Sequence, residues 1–254
     1  PGERDVVLER GRHVLSANGI DEEMNHSVVT DTLEACGSVW TDAPPLGTET
    51  PLLVGSRLLR RSLLPSLLAA RQHNQSLSMR DAQLYEVANI YLPESNVTAL
   101  PREQSSLGIV AGGELRRLRG TLETLVEQVL PPGEQVVWKL AEHSFFRAGT
   151  ALQLYVDGKQ LGWMGVVCPN VLKRMSLEQA CTAAELDLGL LTAHLQAIRT
   201  ASPVSPFPSI ARDLNFIMDE DKSWEQLSAA CQAAGGELLQ RVDYRETYRD
   251  PKKD

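Results

Sequence analysis

The stretch that most constrains the fold is residues 57–91, where a helical pattern is followed by a strand pattern. Apolar residues in its first part share one face of a helix: Leu63, Leu64, Leu67, Leu68 and Ala70. Pro65 falls in the first turn of this helix, where a missing backbone N–H costs little. After a polar turn, the side chains alternate between two strand faces, one with Leu84, Glu86, Ala88 and Ile90 and the other with Tyr85, Val87, Asn89 and Tyr91.

The net charge of the chain argues against one class of function. A net charge of −8 over 254 residues argues against a protein that wraps nucleic acid non-specifically. A local basic patch is still possible, and Arg57, Arg60 and Arg61 form one just upstream of the helix. These arginines could contact RNA phosphate, and the alternative is a solvated approach to the helix.

The cysteines and the apolar segments indicate the compartment. Cys36, Cys168, Cys181 and Cys231 are far apart and form no Cys-x-x-Cys pair, which is typical of free thiols in a reducing environment. No window approaches the roughly 18 apolar residues of a membrane span, and the N-terminus lacks a signal pattern. The sequence therefore predicts a cytoplasmic protein with no membrane partner.

Helix and strand signals alternate along the first 198 residues. Helices are predicted at 4–18, 115–130, 170–175 and 188–197, and strands at 24–29, 107–111, 136–140, 151–156, 161–167 and 182–188. The strand at 107–111 can pair antiparallel with 84–91. Asp157-Gly158 tolerates the positive φ of a tight turn and predicts a hairpin between the two strands that flank it.

A Pro- and Ser-rich segment at residues 199–209 is the best domain boundary. Beyond it we predict a strand at 211–218, a helix at 223–234 and a strand at 238–248. A β-α-β piece without further strands leaves a sheet edge and an apolar face open. We therefore expect the chain to be a fragment of a longer protein.

No catalytic motif is visible in the sequence. It contains no Walker loop, no Gly-x-Ser-x-Gly and no His-Glu-x-x-His, and no spacing of His, Cys or carboxylates suggests a metal site. The residue patterns alone lead to a soluble α+β protein without a recognisable active site.

Several segments, in this order along the chain, carry a resemblance to a known family: RRSLLPSLL at 60–68, LYEVANIYLP at 84–93, LGWMGVVCPNVL at 161–172, ELDL at 185–188, FPSIARDL at 207–214 and YR at 248–249. Together they resemble the C-terminal part of the β subunit of bacterial phenylalanyl-tRNA synthetases. The chain departs from the family pattern at Cys168, where a His is usual, and at Ala88-Asn89, where Gly-Arg or Gly-Lys is usual.

The resemblance implies an α+β fold in two domains. Residues 1–202 resemble a catalytic-like domain, with the antiparallel sheet and flanking helices of a class II aminoacyl-tRNA synthetase. Residues 203–254 resemble the N-terminal part of a ferredoxin-fold anticodon-binding domain.

The resemblance also implies a function, the ATP-dependent attachment of phenylalanine to its tRNA. In that family the catalytic α subunit and the β subunit form an α2β2 heterotetramer that acts on tRNA(Phe) with ATP and magnesium. This segment is expected to be a scaffold that packs on the α subunit and helps to position tRNA. In the absence of the α subunit, its exposed apolar surface favours a homodimer.

Two leucines imply that the segment itself has no catalytic or cofactor-binding residues, in addition to the absence of metal-ligand spacing noted above. Class II synthetases neutralise phosphate charge with one arginine in each of two motifs. When the chain is aligned with those two motifs, the arginines should fall at Leu92 and near Leu188. The segment alone is therefore expected to be inactive.

The resemblance assigns roles to a few residues. Val7, Val14 and Leu15 lie in the region that matches a dimer-interface motif, and they are expected either at the interface with the α subunit or in the core of this domain.

Arginines are the expected tRNA contacts. They are Arg57, Arg60, Arg61 and Arg212. Arg212 has an alternative role, an ion pair with an acid such as Asp213 or Asp243.

Two other functions stay open at this stage. The chain could be a stand-alone, non-catalytic paralogue that binds RNA or a protein. It could also be an active class II enzyme with altered motifs, which the two leucines argue against.

Overall fold

The computed structural model describes residues 2–51, 53–94, 100–131, 134, 136–195 and 206–249. The chain divides into two compact units, residues 1–200 and residues 201–254. The helices of the first unit are α1 (Glu3–Ala17), α2 (Asp31–Glu34), α3 (Leu64–Ser76), α4 (Leu115–Val129), α5 (Pro169–Arg174) and α6 (Leu188–Ala193). Its strands are β1 (Asp21–Glu22), β2 (Val28–Val29), β3 (Leu58–Leu59), β4 (Leu84–Leu92), β5 (Arg102–Gly112), β6 (Val137–Leu140), β7 (Leu152–Val156), β8 (Lys159–Val166) and β9 (Cys181–Asp187).

Seven of these strands form one sheet in the order β1-β4-β5-β9-β8-β7-β6. Its neighbouring strands are antiparallel except β1 and β4, which are parallel. The predicted pairing of residues 84–91 with 107–111 is confirmed, and it extends from Leu84 opposite Val110 to Leu92 opposite Arg102. The predicted hairpin turn is also present, with positive φ at Asp157 and Gly158.

The predicted strand at 24–29 is mostly wrong. Its last two residues, Val28–Val29, form β2, which pairs with β3 in a separate two-stranded sheet. None of the side chains at positions 24–27 is buried, and Met24 is 88% exposed. Instead the chain joins the large sheet earlier, at Asp21–Glu22.

Helices cover both faces of the large sheet. On one face α1, α4 and α6 enclose a core that includes Tyr85. On the other face α3 packs over a second core that includes Leu84 and Ile90, as the alternation in β4 predicts. We call these the α1/α4 face and the α3 face.

Close approach of α3 to the sheet depends on a glycine. A Cβ at Gly108, in the interior strand β5, would lie 2.7 Å from Cβ of Leu63, which is too short for two carbon atoms. Leu63, Leu64, Leu67 and Leu68 are fully buried there, so the helical stripe read from the sequence is the buried face of α3.

The second unit contains helix α7 (Trp224–Gly235), followed by a 3₁₀ turn at Gly236–Leu238. Ser223 and Gln226 form a capping box at the start of α7. The predicted strands at 211–218 and 238–248 are not formed as ladders among the described residues. A strand needs a neighbour to pair its backbone groups, and neither segment has one among the residues that the structure describes.

Candidate functional site

The residues that lead into α3 place three consecutive polar side chains in the interior. Arg60, Arg61 and Ser62 are 2%, 7% and 3% exposed. Each of them bonds to a carboxyl group from a different part of the chain. The residues just before α3 therefore connect the start of this helix to three other segments.

Arg60 pairs with Glu86 of β4. Its Nη1 donates to Glu86 Oε1 at 2.8 Å, and both side chains are 2% exposed. Its Nε donates to the carbonyl of Asn89 at 3.1 Å. The backbone N–H and side-chain amide of Asn25 donate to the two Glu86 oxygens at 3.1 and 2.9 Å. The buried carboxylate therefore has a cation and two neutral donors, which offsets the cost of its desolvation.

Arg61 pairs with Glu34 at the end of α2. Its Nε donates to Glu34 Oε1, and its Nη1 donates to the carbonyl of Ala43 and, at 3.3 Å, to that of Thr41. Burial raises the pKa of Glu34, and the hydrogen bond from Arg61 opposes that shift. The pair fixes the segment after α2 against the start of α3.

Ser62 bonds to Glu185 of β9. The Ser62 hydroxyl donates to Glu185 Oε2, and the backbone N–H of Leu63 donates to Oε1 at 3.1 Å. Glu185 is fully buried, and burial raises its pKa to about 7.

These six side chains form one arrangement, which we call the carboxyl–guanidinium cluster: Arg60, Arg61, Ser62, Glu34, Glu86 and Glu185. It lies on the α3 face of the sheet.

The four predicted tRNA contacts are in different environments. Arg60 and Arg61 are buried and bonded to carboxyl groups, which argues against the predicted contacts with RNA phosphate. Arg57 is exposed. Arg212, in the second unit, is also exposed and donates to the neighbouring carbonyl of Ala211 at 2.9 Å.

The three predicted interface residues lie in the core of the first unit. Val7, Val14 and Leu15 are 2%, 6% and 1% exposed and belong to the cluster that α1 shares with α4. Their apolar side chains are covered inside this chain, which supports the alternative that they form its core.

The two positions at which we expected the arginines of a class II synthetase are apolar and buried. Leu92 ends β4 and is 4% exposed, and Leu188 begins α6 and is 3% exposed. Leu92 packs in the α3-face core and Leu188 in the α1/α4-face core. Neither leucine side chain can itself supply a positive charge to a phosphate group.

Clusters of metal-ligating side chains are absent among the described residues. Within the described ranges, no three His, Cys, Asp or Glu side chains converge in a way that could hold a metal ion. No helix in this part of the chain is long and apolar enough to cross a membrane.

Sequence reasoning missed the carboxyl partners of the arginines. One signal could have found Glu86, because the alternation in β4 places this acid on the same face as Leu84 and Ile90. A charged residue on a buried strand face requires a partner. Glu34 and Glu185 gave no such signal, since their distances in sequence from Arg61 and Ser62 hide the contact.

The fold of the chain is that of the class II aminoacyl-tRNA synthetases. Pyrrolysyl-tRNA synthetase from Desulfitobacterium hafniense superposes with a TM-score of 0.56 at 14% identity, over 73% of this chain and 66% of that one. Giardia lamblia prolyl-tRNA synthetase, in complex with prolyl-adenylate, superposes with a TM-score of 0.57 at 10% identity, over 75% and 44%.

The chain belongs to the phenylalanyl-tRNA synthetase β-chain family. Residues 2–188 match the "Phenylalanyl tRNA synthetase beta chain CLM domain", and residues 205–254 match the "Ferredoxin-fold anticodon binding domain".

Two curated relatives are similar over most of this chain. The phenylalanine–tRNA ligase β subunit of Rhodopirellula baltica is 39% identical over 98% of it, and that of Clostridium acetobutylicum is 25% identical over 97%. The chain spans 38% and 31% of the length of these relatives.

Proposed function

We propose that this chain is the C-terminal part of a phenylalanine–tRNA ligase β subunit and acts there as a non-catalytic scaffold. The enzyme attaches phenylalanine to its tRNA with ATP and magnesium, and the chemistry belongs to the α subunit. Residues 1–202 form the catalytic-like domain in this proposal, and residues 203–254 form the first part of the anticodon-binding domain.

The observation that carries the proposal is the burial of Leu92 and Leu188 at the two arginine positions. As adenylate forms, negative charge on the phosphates must be stabilised, and a fixed guanidinium does so in other class II enzymes. Removing one such group typically costs about 3 kcal/mol of transition-state stabilisation. A site that lacks both arginines is therefore expected to be inactive.

The carboxyl–guanidinium cluster supports the same conclusion. Arg60 and Arg61 are cations on the α3 face, but Glu86 and Glu34 already neutralise them. Their positive charge is used to hold the domain together, so it is not available to ATP. This segment is therefore proposed to bind no cofactor itself.

The partners of the proposed scaffold are the α subunit, in an α2β2 heterotetramer, and tRNA(Phe). The exposed Arg57 and Arg212 stay candidates for contact with tRNA, because exposed arginines can pair with phosphate without breaking a buried ion pair. The cytoplasm is the proposed location, since it is where the relatives' substrate tRNA is charged.

Phenylalanine-dependent ATP–pyrophosphate exchange tests the assignment of the chemistry. We expect no exchange above the phenylalanine-free control for this chain alone, and robust exchange for its mixture with an α subunit from the same source. Exchange by this chain alone would contradict the proposal.

Size-exclusion chromatography with light scattering tests the scaffold role on the same samples. A mixed complex of this chain and the α subunit supports it. Separate elution, together with full exchange activity of the α subunit alone, would instead favour a stand-alone paralogue.

A further inference from the structure

Charges in the carboxyl–guanidinium cluster do not balance. Two guanidinium groups face three carboxyl groups, and the closest pairs are Arg60 with Glu86 and Arg61 with Glu34. Within the described residues, Glu185 forms no ion pair. Its hydrogen-bond donors are neutral, the hydroxyl of Ser62 and the backbone N–H of Leu63.

The surroundings of Glu185 add little compensation. In the sheet its neighbours on β5 and β8 are Gly108 and Trp163, which carry no charge. The charged group that acts on Glu185 is Arg60, whose Nη1 is already bonded to Glu86.

An indole also faces the Glu185 carboxyl group. The Trp40 Nε1 atom is buried and makes no hydrogen bond of normal geometry within the described part of the chain. Its N–H nevertheless lies close enough to help lower the pKa of Glu185. The carboxyl group thus sits among neutral donors at the start of α3.

Burial strongly disfavours the ionised form of a carboxyl group that has no ion-pair partner, and such a group binds a proton instead. The donors from Ser62, Leu63 and Trp40 favour the ionised form, whereas burial favours the neutral form. Burial is the larger effect and raises the pKa of Glu185 to about 7. Both forms are therefore populated near neutral pH.

We propose that Glu185 is a pH-sensitive latch between β9, the start of α3 and the segment that carries Trp40. With a proton bound, the carboxyl group is neutral and stays buried between these three parts, hydrogen-bonded to Ser62 and Leu63 and close to the Trp40 indole. After the proton leaves, the buried charge favours local opening, because water can then solvate the carboxylate. This inference is independent of the proposed ligase function.

The direction of the pH effect follows from the raised pKa. In the folded chain Glu185 keeps its proton up to pH of about 7, whereas in the unfolded chain it loses the proton near its ordinary value of 4.5. The contribution of Glu185 to the free energy of unfolding is fully present below pH 4.5, decreases as pH rises and is lost above pH of about 7. The ratio of folded to unfolded protein should drop by about two to three orders of magnitude from this group.

Urea unfolding of the 254-residue chain between pH 4.5 and 8, followed by tryptophan fluorescence, tests the latch. Glu185→Gln is a neutral mimic of the protonated form and should abolish this fall in stability. Glu178→Gln removes an exposed carboxylate and is the matched control, which should keep the wild-type profile. Parallel profiles for wild type and Glu185→Gln would overturn the proposal.

Ser62→Ala provides a second test that does not depend on the folding of the first variant. Loss of the Ser62 hydroxyl removes a donor that favours the ionised carboxylate. We expect the pH window of the stability loss to move to higher pH, and the infrared band of the protonated carboxyl group to persist further. An unchanged window and band would contradict the latch.

Discussion

The two faces of the large sheet are stabilised by different physical means. The α1/α4 face is an apolar core that contains, among others, Leu122 and Leu125 of α4. The α3 face also has an apolar core, but it encloses two buried ion pairs and the carboxyl group of Glu185. Non-directional burial thus stabilises one face, whereas the other also requires specific pairs with fixed geometry.

This difference determines how strongly a substitution on each face destabilises the domain. An apolar core loses stability in proportion to the volume that is removed and tolerates exchange of similar residues. A buried ion pair that loses one partner leaves an uncompensated charge behind. A single substitution should therefore be more damaging in the cluster than in the opposite core.

The largest effect is expected for Glu86→Ala, which leaves the Arg60 guanidinium buried without its carboxylate. We expect a loss of about 3–5 kcal/mol in the free energy of unfolding. Urea denaturation measures it, with Glu103→Ala as an exposed control on the neighbouring strand β5. Equal stabilities of the two variants would mean that the pair does not stabilise the α3 face.

A somewhat smaller effect is expected for Leu122→Ala on the α1/α4 face. The side chain is fully buried, and its truncation should cost about 2–5 kcal/mol, depending on how far the site collapses. Leu77→Ala, which alters a 58% exposed leucine after α3, is the control and should change stability little. If Leu122→Ala costs clearly more than Glu86→Ala in the same assay, the contrast between the faces is wrong.

The smallest effect is expected for Arg12→Ala, which breaks an ion pair on the surface. Arg12 Nη2 lies 2.8 Å from Glu22 Oε1, and the two side chains are 50% and 38% exposed. Solvent screening should limit the loss to below about 1 kcal/mol.

The pH dependence of the Arg12–Glu22 pair should be opposite to that of Glu185. The hydrogen bond from Arg12 lowers the pKa of Glu22, so this contribution is present above about 4.5 and is lost as pH falls. The stability difference between wild type and Arg12→Ala should therefore shrink in acid. A difference that grows in acid would contradict this assignment.

Much of the fold could be predicted because its signals are local. Helical spacing in α3 and α4, alternation in β4 and the Asp157-Gly158 turn each depend on a few neighbouring residues. The prediction of a strand at 24–29 was wrong because that segment lacks a consistent buried face. The predicted strands of the second unit were not found because a strand needs a neighbouring strand to pair with, and the local sequence does not show whether one is present.

The carboxyl–guanidinium cluster could not be predicted in the same way. Ser62 and Glu185 are 123 positions apart in sequence, and Arg61 and Glu34 are 27 apart. Three adjacent polar residues before a helix look like a solvated cluster until the positions of their partners are known. Because Arg60 and Arg61 are buried in ion pairs, we interpret them as stabilising the domain and no longer as candidate tRNA contacts.

The order of strands in the sheet has a consequence for synthesis on the ribosome. The chain makes β4 and β5 as one half of the sheet and later β6, β7 and β8 as the other, and β9 inserts between β5 and β8. Both halves therefore have an open edge until residue 187 has left the exit tunnel. During that interval β5 and β8 are exposed to wrong pairings, so we expect chaperone binding to be strongest on nascent chains from which β8 has emerged while β9 is still inside the exit tunnel.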